Sequence, residues 1–570
     1  MDTFLPNQVV PKSLTRSRQH GSVFKWNYVI ISLLGMGVFL RLYHFVLNRS
    51  FWSDEIYLSI SFLKMNFFEL ASLPLDFQQK APLGYLWMVK ASVVIFGNSE
   101  MAMRLFPLLC GIGSLLVFVT VARHFLKPAT VAIAVGILAL SPHIVYHSVE
   151  AKQYSTEVFA TILALYLYIR YSNRLDIKSL ILWAFWGSSL LWFSYTSVFV
   201  LAGMAAGISL SHILKRERNA FFLHLIPFFF WLISFGVNYF LFTYKHAEAD
   251  WLVLWFKNRD GFMPSQEIAA AKWLLVKSFA ILNFPLGLSW FTLPKDLAAN
   301  DLLLVLARMA FIPYILIFIG VYGVIKNNIR WCLILLLPLV LHLIASRLLI
   351  YPFYERLTVY LTPLLILLLA LGCDAFLDLM NKGKIDSVNV KAGKSFHASQ
   401  EALTAAPYME KSNRVQNSKK RTTWTIILTV LILLGPLMHS AKGVVEPEYF
   451  GYHKHWHQRE LYQYINKNYE SGDAVYVYYN AVVPYQYYSI IYDYKYRAIE
   501  GQDHRGSSST MNEYFNKLQA DIDALRKSHN RVWVVHNTHF PTKIGEIDED
   551  PEWYYKDLQL NLKHRWEVFN

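Results

Sequence analysis

The chain of 570 residues is poor in what a soluble protein relies on. Only 16% of it is charged, against about 25% in an ordinary globular domain. With 55% hydrophobic content beside that, disordered, collagenous and nucleic-acid-binding chains are excluded. So is a soluble enzyme of this size, which could not hide so much apolar surface. Cysteine is nearly absent: Cys110, Cys332 and Cys373 all lie in apolar runs with no CxxC spacing, so there is no disulfide framework. Acidic residues are the scarcer charge, 40 against 54 Lys and Arg, giving a net charge of +14. No small-residue cleavage site follows the first apolar run, where Arg41 and Leu42 lead into an aromatic segment, so that run is not a cleavable signal peptide. No solenoid-type repeat is visible either. What remains is an integral membrane protein.

Runs of about 20 apolar residues mark helices able to satisfy their own backbone in lipid. They lie at about 28–47, 105–125, 129–146, 155–171, 179–195, 197–214, 220–243, 302–325, 331–349, 357–377 and 423–440, which predicts about eleven transmembrane helices. Lys12, Arg16, Arg18 and Lys25 precede the first, so the segment 1–27 is expected in the cytoplasm. The clusters Arg123/Lys127, Arg170/Arg174/Lys178, Lys215/Arg216/Arg218 and Lys326/Arg330 then fall on the same side. The stretch 378–422, rich in Lys, Ser, Ala and Asn, reads as a basic cytoplasmic linker. The positive charge is therefore largely a topology signal.

The membrane domain, 28–440, carries two outer loops. In the first, 48–104, the run from Tyr85 to Phe96 is broken by Lys90 and too short to span, which predicts a helix along the membrane surface. In the second, 245–301, Trp251, Trp255 and Trp273 suit the interface. The tail, 441–570, should lie outside. Strand-like runs begin at Asp473 and Arg531 and an amphipathic helix covers 511–528, predicting a small α/β domain.

Charges near the membrane on the outer side are where function is sought. Phe51-Trp52-Ser53-Asp54-Glu55 opens the first loop, which continues through Lys80-Ala81-Pro82 and Tyr85 and closes with Glu100 and Arg104. The next outer turn holds His143, His147, Glu150, Lys152 and Tyr154, and a later one Arg347, Glu355 and Arg356. Carboxylates and cations converge at the ends of different helices, whereas a transporter more often keeps its ionisable groups near the midplane.

An acidic pair after the first helix, Lys-x-Pro with a nearby Tyr, Asn-Ser-Glu-x-x-x-Arg-Leu-x-Pro and Glu-Ala-Lys-x-Tyr occur here in that order. This set resembles the GT-C superfamily of membrane glycosyltransferases, on the branch of protein O-mannosyltransferases and lipid A aminoarabinose transferases. The likeness runs over about 30–200 and recurs around 350–377. It implies a polytopic α-helical fold with juxtamembrane helices in the first loop. It also implies transfer of a sugar from a polyprenyl-phosphate donor to a glycolipid, envelope polysaccharide or protein, in one inverting displacement. Asp54 and Glu150 match the family's acidic positions, and Lys80 its phosphate contact. Glu-Ala-Lys stands where many relatives have Glu-Ala-Arg, and Lys-Ala-Pro where many have a basic residue directly before Pro.

Transfer through an oxocarbenium-like state needs a carboxylate to take the acceptor's proton and cations for a phosphate that leaves charged. Asp54 is the candidate base, with Glu55 and Glu150 as the other catalytic carboxylates. Lys80, Arg356, Lys152, Arg104, Tyr85 and Tyr154 are the candidate donor-phosphate contacts. A divalent metal ion between Asp54 and Glu150 is a further expectation. Plainer roles exist for each: Asp54 and Glu55 as N-cap and first-turn acids, Glu150 and Lys152 as a loop pair, Lys80 as a snorkeling side chain, Arg104 and Arg356 as helix-end anchors. His143 and His147 read as interfacial histidines, the alternating His453, His455 and His457 as a polar surface, and the tail tyrosines Tyr476, Tyr478, Tyr479, Tyr485, Tyr487 and Tyr488 as a packed core. The expected home is a bacterial inner membrane, with membrane lipids as partners and no nucleic acid. The rival reading is a transporter or flippase of a lipid-linked sugar.

Overall fold

The computed structural model describes residues 16–244, 250–290, 311–382, 401–451 and 457–536, with side chains from 26 onward and none described at 250–251, 381–382 or 401–421. The start of the N-terminal segment, residues 302–310 of one expected span, His453 and His455, and the tail beyond 536 lie outside the described residues.

The chain is a polytopic helical membrane protein with a small sheet near its C-terminus. Among the described residues, seven helical stretches are long and apolar enough to cross a bilayer: Trp26–Leu47, Glu100–Phe125, Ser197–Lys215, Arg218–Thr243, Ile329–Arg347, Glu355–Met380 and Thr422–Val445. Four shorter apolar helices accompany them: Leu83–Phe96, Pro128–Leu140, Ile177–Phe193 and Phe311–Asn327. In chain order the first half comprises α1 (Arg16–Leu47), α2 (Ser53–Lys64), α3 (Phe67–Ser72), α4 (Leu83–Phe96), α5 (Glu100–Phe125), α6 (Pro128–Leu140), α7 (Pro142–His147) and α8 (Tyr154–Tyr171). Then come α9 (Ile177–Phe193), α10 (Ser197–Lys215), α11 (Arg218–Asn238), α12 (Asp250–Lys257) and α13 (Glu267–Asn283).

Local signals set the ends. Asn66 and Glu69 form a capping box on α3, and Ser99 and Asp176 accept backbone N–H bonds at the starts of α5 and α9. Gly97, at φ +85°, ends α4 in a conformation that side chains disfavour. The apolar run 179–214 divides at Ser194 into α9 and α10. The run 129–146, expected as one span, is broken at Ser141, because Pro142 has no N–H to continue α6. The carbonyls thus orphaned are met by Arg41, buried within α1, which donates to Leu138 O at 3.1 Å and Ala139 O at 3.2 Å. Ser440 donates to Leu140 O at 2.7 Å. The stretch 378–422 is not simply a linker: one helix runs on to Lys382 and another, Glu401–Val445, covers its far end, with 383–400 outside the description.

The tail forms a parallel sheet, β1 (Asp473–Val477) between β2 (Ile499–Glu500) and β3 (Arg531–Val535), in the order β2-β1-β3. The helix Met511–Ser528 buries Tyr514, Phe515 and Leu518 beneath it. Tyr476, Tyr478, Tyr485, Tyr487 and Tyr488 are buried as core side chains. A second apolar cluster is shared between the first loop (Phe51, Ile56, Leu86) and the tail (Val475, Tyr487, Tyr488). Polar bonds reinforce that seam: Arg459 donates to Glu100 Oε2 at 2.5 Å and to Asn48 O at 2.7 Å, and the Phe51 N–H donates to Tyr488 Oη at 3.1 Å. The tail thereby braces the corner between α1 and α2.

Candidate active site

The corner after α1 places Trp52, Asp54 and Glu55 in and before the first turn of α2, where the helix dipole favours acids. Successive residues on a helix point about 100° apart, so the two acids face different neighbours.

Glu55 points inward and is fully buried. Arg104, on the first turns of α5, grips it through two bonds of 2.9 Å, Nε to Oε1 and Nη2 to Oε2. The Ala151 N–H donates to Oε1 at 2.8 Å, and Arg49 lies 3.3 Å from Oε2. Arg104 also donates to Arg49 O at 2.7 Å and packs over the Phe51 ring. Two expected site residues are enclosed here. Glu55 has no open face from which to act as a catalytic acid or base, and Arg104, 1% exposed, has no free edge for a donor phosphate. Together they fasten α2 to α5 and to the 150–152 turn.

Glu150 is also fully buried: Trp52 Nε1 donates to its Oε1 at 3.1 Å, and His147 Nδ1 lies 2.7 Å from its Oε2. Its bonds orient the indole and the imidazole, at the position where the sequence suggested a catalytic carboxylate. His143 and His147 both pack on Phe284, with ring centroids 4.3 and 5.7 Å away. Tyr85, expected as a donor-phosphate contact, is fully buried on α4 against Phe106.

Asp54 points the other way and is part-exposed, its Oδ2 accepting a hydrogen bond from Arg356 Nη1. Arg356 enters from a 3₁₀ turn, Glu355–Leu361, about 300 residues later. Its guanidinium sits among the rings of Trp52, Tyr154 and Trp255, at 6.0, 6.0 and 5.8 Å from their centroids. Lys152 is 5% exposed and donates to Gln79 Oε1 at 2.6 Å. Burial pushes its ammonium down to about 8, against the pull of Asp54 and with the push of Arg356. Lys80 follows Gln79; its carbonyl accepts from Gln153 Nε2 at 3.4 Å, and burial lowers its ammonium too. The backbone just before it is strained, with Phe77 at φ +53° and Gln78 at φ +51°.

Three residues had no signal in the sequence. Arg259, just after α12, stacks on Trp255 at 3.6 Å, so two guanidinium groups flank that indole. Lys277, on α13, lies 5.9 Å from the Tyr354 ring. Gln79 is the bond that draws Lys152 towards the Lys80 strand. Trp255 was read only as an interfacial tryptophan. The end of the bundle at Asp54 thus gathers several cations and aromatic walls around a part-exposed carboxylate, with Glu150, Asp260 and Glu355 also acting on those cations, a setting that can receive an anionic ligand. Asp54 is bonded to Arg356 and Glu150 to Trp52 and His147, and no group of three His, Cys, Asp or Glu gathers among the described residues.

Residues 80–240 match the family model described as dolichyl-phosphate-mannose-protein mannosyltransferase. That segment takes in Lys80, Arg104, Glu150, Lys152 and Tyr154, while Asp54 and Arg356 lie outside it. The resemblance to GT-C membrane glycosyltransferases is borne out over this stretch. No curated protein matches the chain. Among solved structures, the archaeal oligosaccharyltransferase AglB from Archaeoglobus fulgidus, in complex with an inhibitory peptide and a dolichol-phosphate, is similar at 12% identity and a TM-score of 0.44. The likeness covers 81% of this chain and 63% of that one, so the chain spans under two thirds of AglB. ArnT from Cupriavidus metallidurans bound to undecaprenyl phosphate is similar at 13% identity and a TM-score of 0.44, over 90% of each chain. Its apo form is similar at 14% identity, over 85% of this chain and 87% of that one, with the same TM-score of 0.44.

Proposed function

We propose, from the match of residues 80–240 to the mannosyltransferase family and the charges gathered at Asp54, that this membrane protein is a polyprenyl-phosphate-sugar-dependent glycosyltransferase. Its acceptor is a glycolipid, an envelope polysaccharide or a protein hydroxyl, met at the outer face of a bacterial inner membrane. The observation that carries the reading is the part-exposed Asp54–Arg356 pair, with Lys152 in electrostatic reach of both. The outer-face assignment is supported by the basic loops at the opposite ends of the helices.

In the reaction, the acceptor oxygen bonds to the anomeric carbon as the bond from that carbon to the phosphate oxygen breaks. The acceptor's proton passes to Asp54, and the bonding electrons leave on the phosphate. Arg356, Lys152 and Lys80 stabilise the charge that develops there. The Asp54–Arg356 contact has its own part: a donor phosphate arriving at Arg356 competes for the guanidinium and loosens the ion pair. The carboxylate then regains the basicity that pairing suppresses, so base and donor are prepared together. The displacement is single and inverting. Glu55, Arg104 and Glu150 act as positioning residues.

The test is sugar transfer in liposomes, with a panel of polyprenyl-phosphate sugars, for the native chain and Asp54→Asn. Transfer by the native chain, lost in Asp54→Asn with donor binding kept, is the expected result. Normal transfer by Asp54→Asn would remove Asp54 as base. Movement of a labelled lipid between leaflets with no donor consumed would replace the enzyme by a flippase.

A further inference from the structure

The basic loops that serve as topology signals also build a site of their own. At the far end of α8, the loops after α8 and α10 and the start of the helix Ile329–Arg347 enclose a cleft of about 680 Å³. The 18 residues of α8 put it roughly 27 Å from Tyr154, well apart from the Asp54 corner.

Two histidines line it, His212 from α10 and His224 from α11, with stacked rings 4.9 Å apart. Both are buried, at 7% and 1% exposure. His212 Nδ1 lies 2.7 Å from Glu217 Oε2, and His224 Nδ1 lies 2.8 Å from Ala220 O. A carbonyl and a carboxylate only accept, so Nδ1 carries the proton on each ring. Nε2 of each is buried and makes no well-formed hydrogen bond among the described residues, although the Ser172 carbonyl lies near the His224 ring, and face-to-face stacking keeps the two from bonding each other. Arg330, which also lines the cleft, donates to Ser172 O at 3.1 Å and Asn173 Oδ1 at 3.4 Å, yet its Nε is buried without a partner. Buried polar atoms are rarely left unmatched, and here three belong to lining residues of one cleft.

The rest of the lining fits an anion. Lys215, Arg216, Arg218 and Arg330 face a single acid, Glu217, which is already held by His212. α11 begins at this cleft, and its N-cap, Glu217, makes no capping bond; the Arg218 N–H turns back to Arg216 O at 3.1 Å, which leaves the N–H groups of Asn219 and Ala220 for a ligand. An Nε2 that carries no proton needs a donor, whereas Arg330 Nε and the basic rim need an acceptor. A ligand with anionic oxygens and a proton of its own satisfies both. Exposed Leu175, Ile213 and Leu214 lie beside the cleft, where acyl chains would rest.

We propose that this cleft binds a phosphate monoester. Its anionic oxygens accept from Arg330 Nε, the basic rim and the α11 N-terminus, and its P–O–H donates to a histidine Nε2. The phosphate belongs either to a lipid headgroup or to a soluble molecule.

The test uses the full chain in phosphatidylcholine nanodiscs and follows its thermal midpoint. One arm titrates inorganic phosphate; a second dopes the disc with phosphatidic acid; a third uses phosphatidylglycerol, a diester without that proton. A saturable rise is expected with phosphate or phosphatidic acid, weakened about tenfold in apparent affinity in Lys215→Gln/Arg218→Gln. Those side chains are exposed, so the variant keeps its fold. A rise with inorganic phosphate assigns a soluble ligand, and one confined to phosphatidic acid assigns a headgroup. No rise in either arm, an equal rise in the variant, or an equal rise with phosphatidylglycerol overturns the proposal.

Discussion

Asp54 and Glu55 are consecutive carboxylates on one helical turn, each paired with an arginine from a distant segment, yet they are opposite in kind. The Glu55–Arg104 pair is closed: both partners are buried, the contact is doubly bonded, and a backbone N–H completes it. The Asp54–Arg356 pair is open: side-chain exposures are 23% and 18%, and aromatic rings instead of further acceptors surround the guanidinium. A closed buried pair holds geometry, because removing either partner strands a charge away from water. An open pair can exchange partners, which is what binding an anionic donor requires. Burial, not residue type, separates the frame from the reactive group.

The sharpest way to break this contrast is Asp54→Asn. Transfer should fall by about 10²–10⁴-fold, the usual range for losing a general base, while the thermal midpoint in detergent stays near that of the native chain. Arg104→Gln should do the reverse, costing about 3–5 kcal/mol of stability in unfolding experiments, with transfer per folded molecule less affected than in Asp54→Asn. If both variants lose stability equally, the open pair is structural as well. Arg356→Lys keeps the charge but loses the planar fork and its aromatic stacking. Its KM for the donor should rise about 10–100-fold, from roughly 1.5–3 kcal/mol of charged hydrogen bonding.

Lys152 sharpens the comparison through pH. Burial lowers its ammonium to about 8, so it is protonated below that value and neutral above it. If its charge helps to hold the donor phosphate, kcat/KM falls as pH rises through about 8, and Lys152→Met removes that limb of the profile. The smallest effect is expected at the far end of the bundle. There Lys127 and Asp378 form an ion pair at 2.7 Å with both side chains 45% exposed, and Lys127→Ala should cost less than about 1 kcal/mol in thermal unfolding.

Parts of this were legible without coordinates. Lys152 and Tyr154 sit beside Arg356 and Asp54 as their shared end of the membrane domain suggested. The plainer role weighed for Arg104, orienting a helix start, matches its buried pairing with Glu55. Glu55, Glu150 and Tyr85 are buried where the sequence suggested contact with substrate, because a charged or phenolic side chain carries in the sequence no mark of whether it will be buried. Arg41, Gln79 and Arg259 gave no signal because each answers a need created elsewhere. Arg41 meets carbonyls freed by Pro142, Gln79 meets an ammonium on the 150–152 turn, and Arg259 meets the Trp255 indole.

Membrane residence, the placement of the apolar helices and the helix ends at which charge collects can be read from the residues alone. Those follow from composition, run length and the energy of backbone groups in lipid, all of which are local. Packing was needed to show which carboxylate is exposed, which arginine sits in an open pair, and that basic loops from three helix ends meet around two histidines. Such outcomes depend on pairs tens to hundreds of residues apart, and on a rotation of about 100° between neighbouring side chains that only packing fixes.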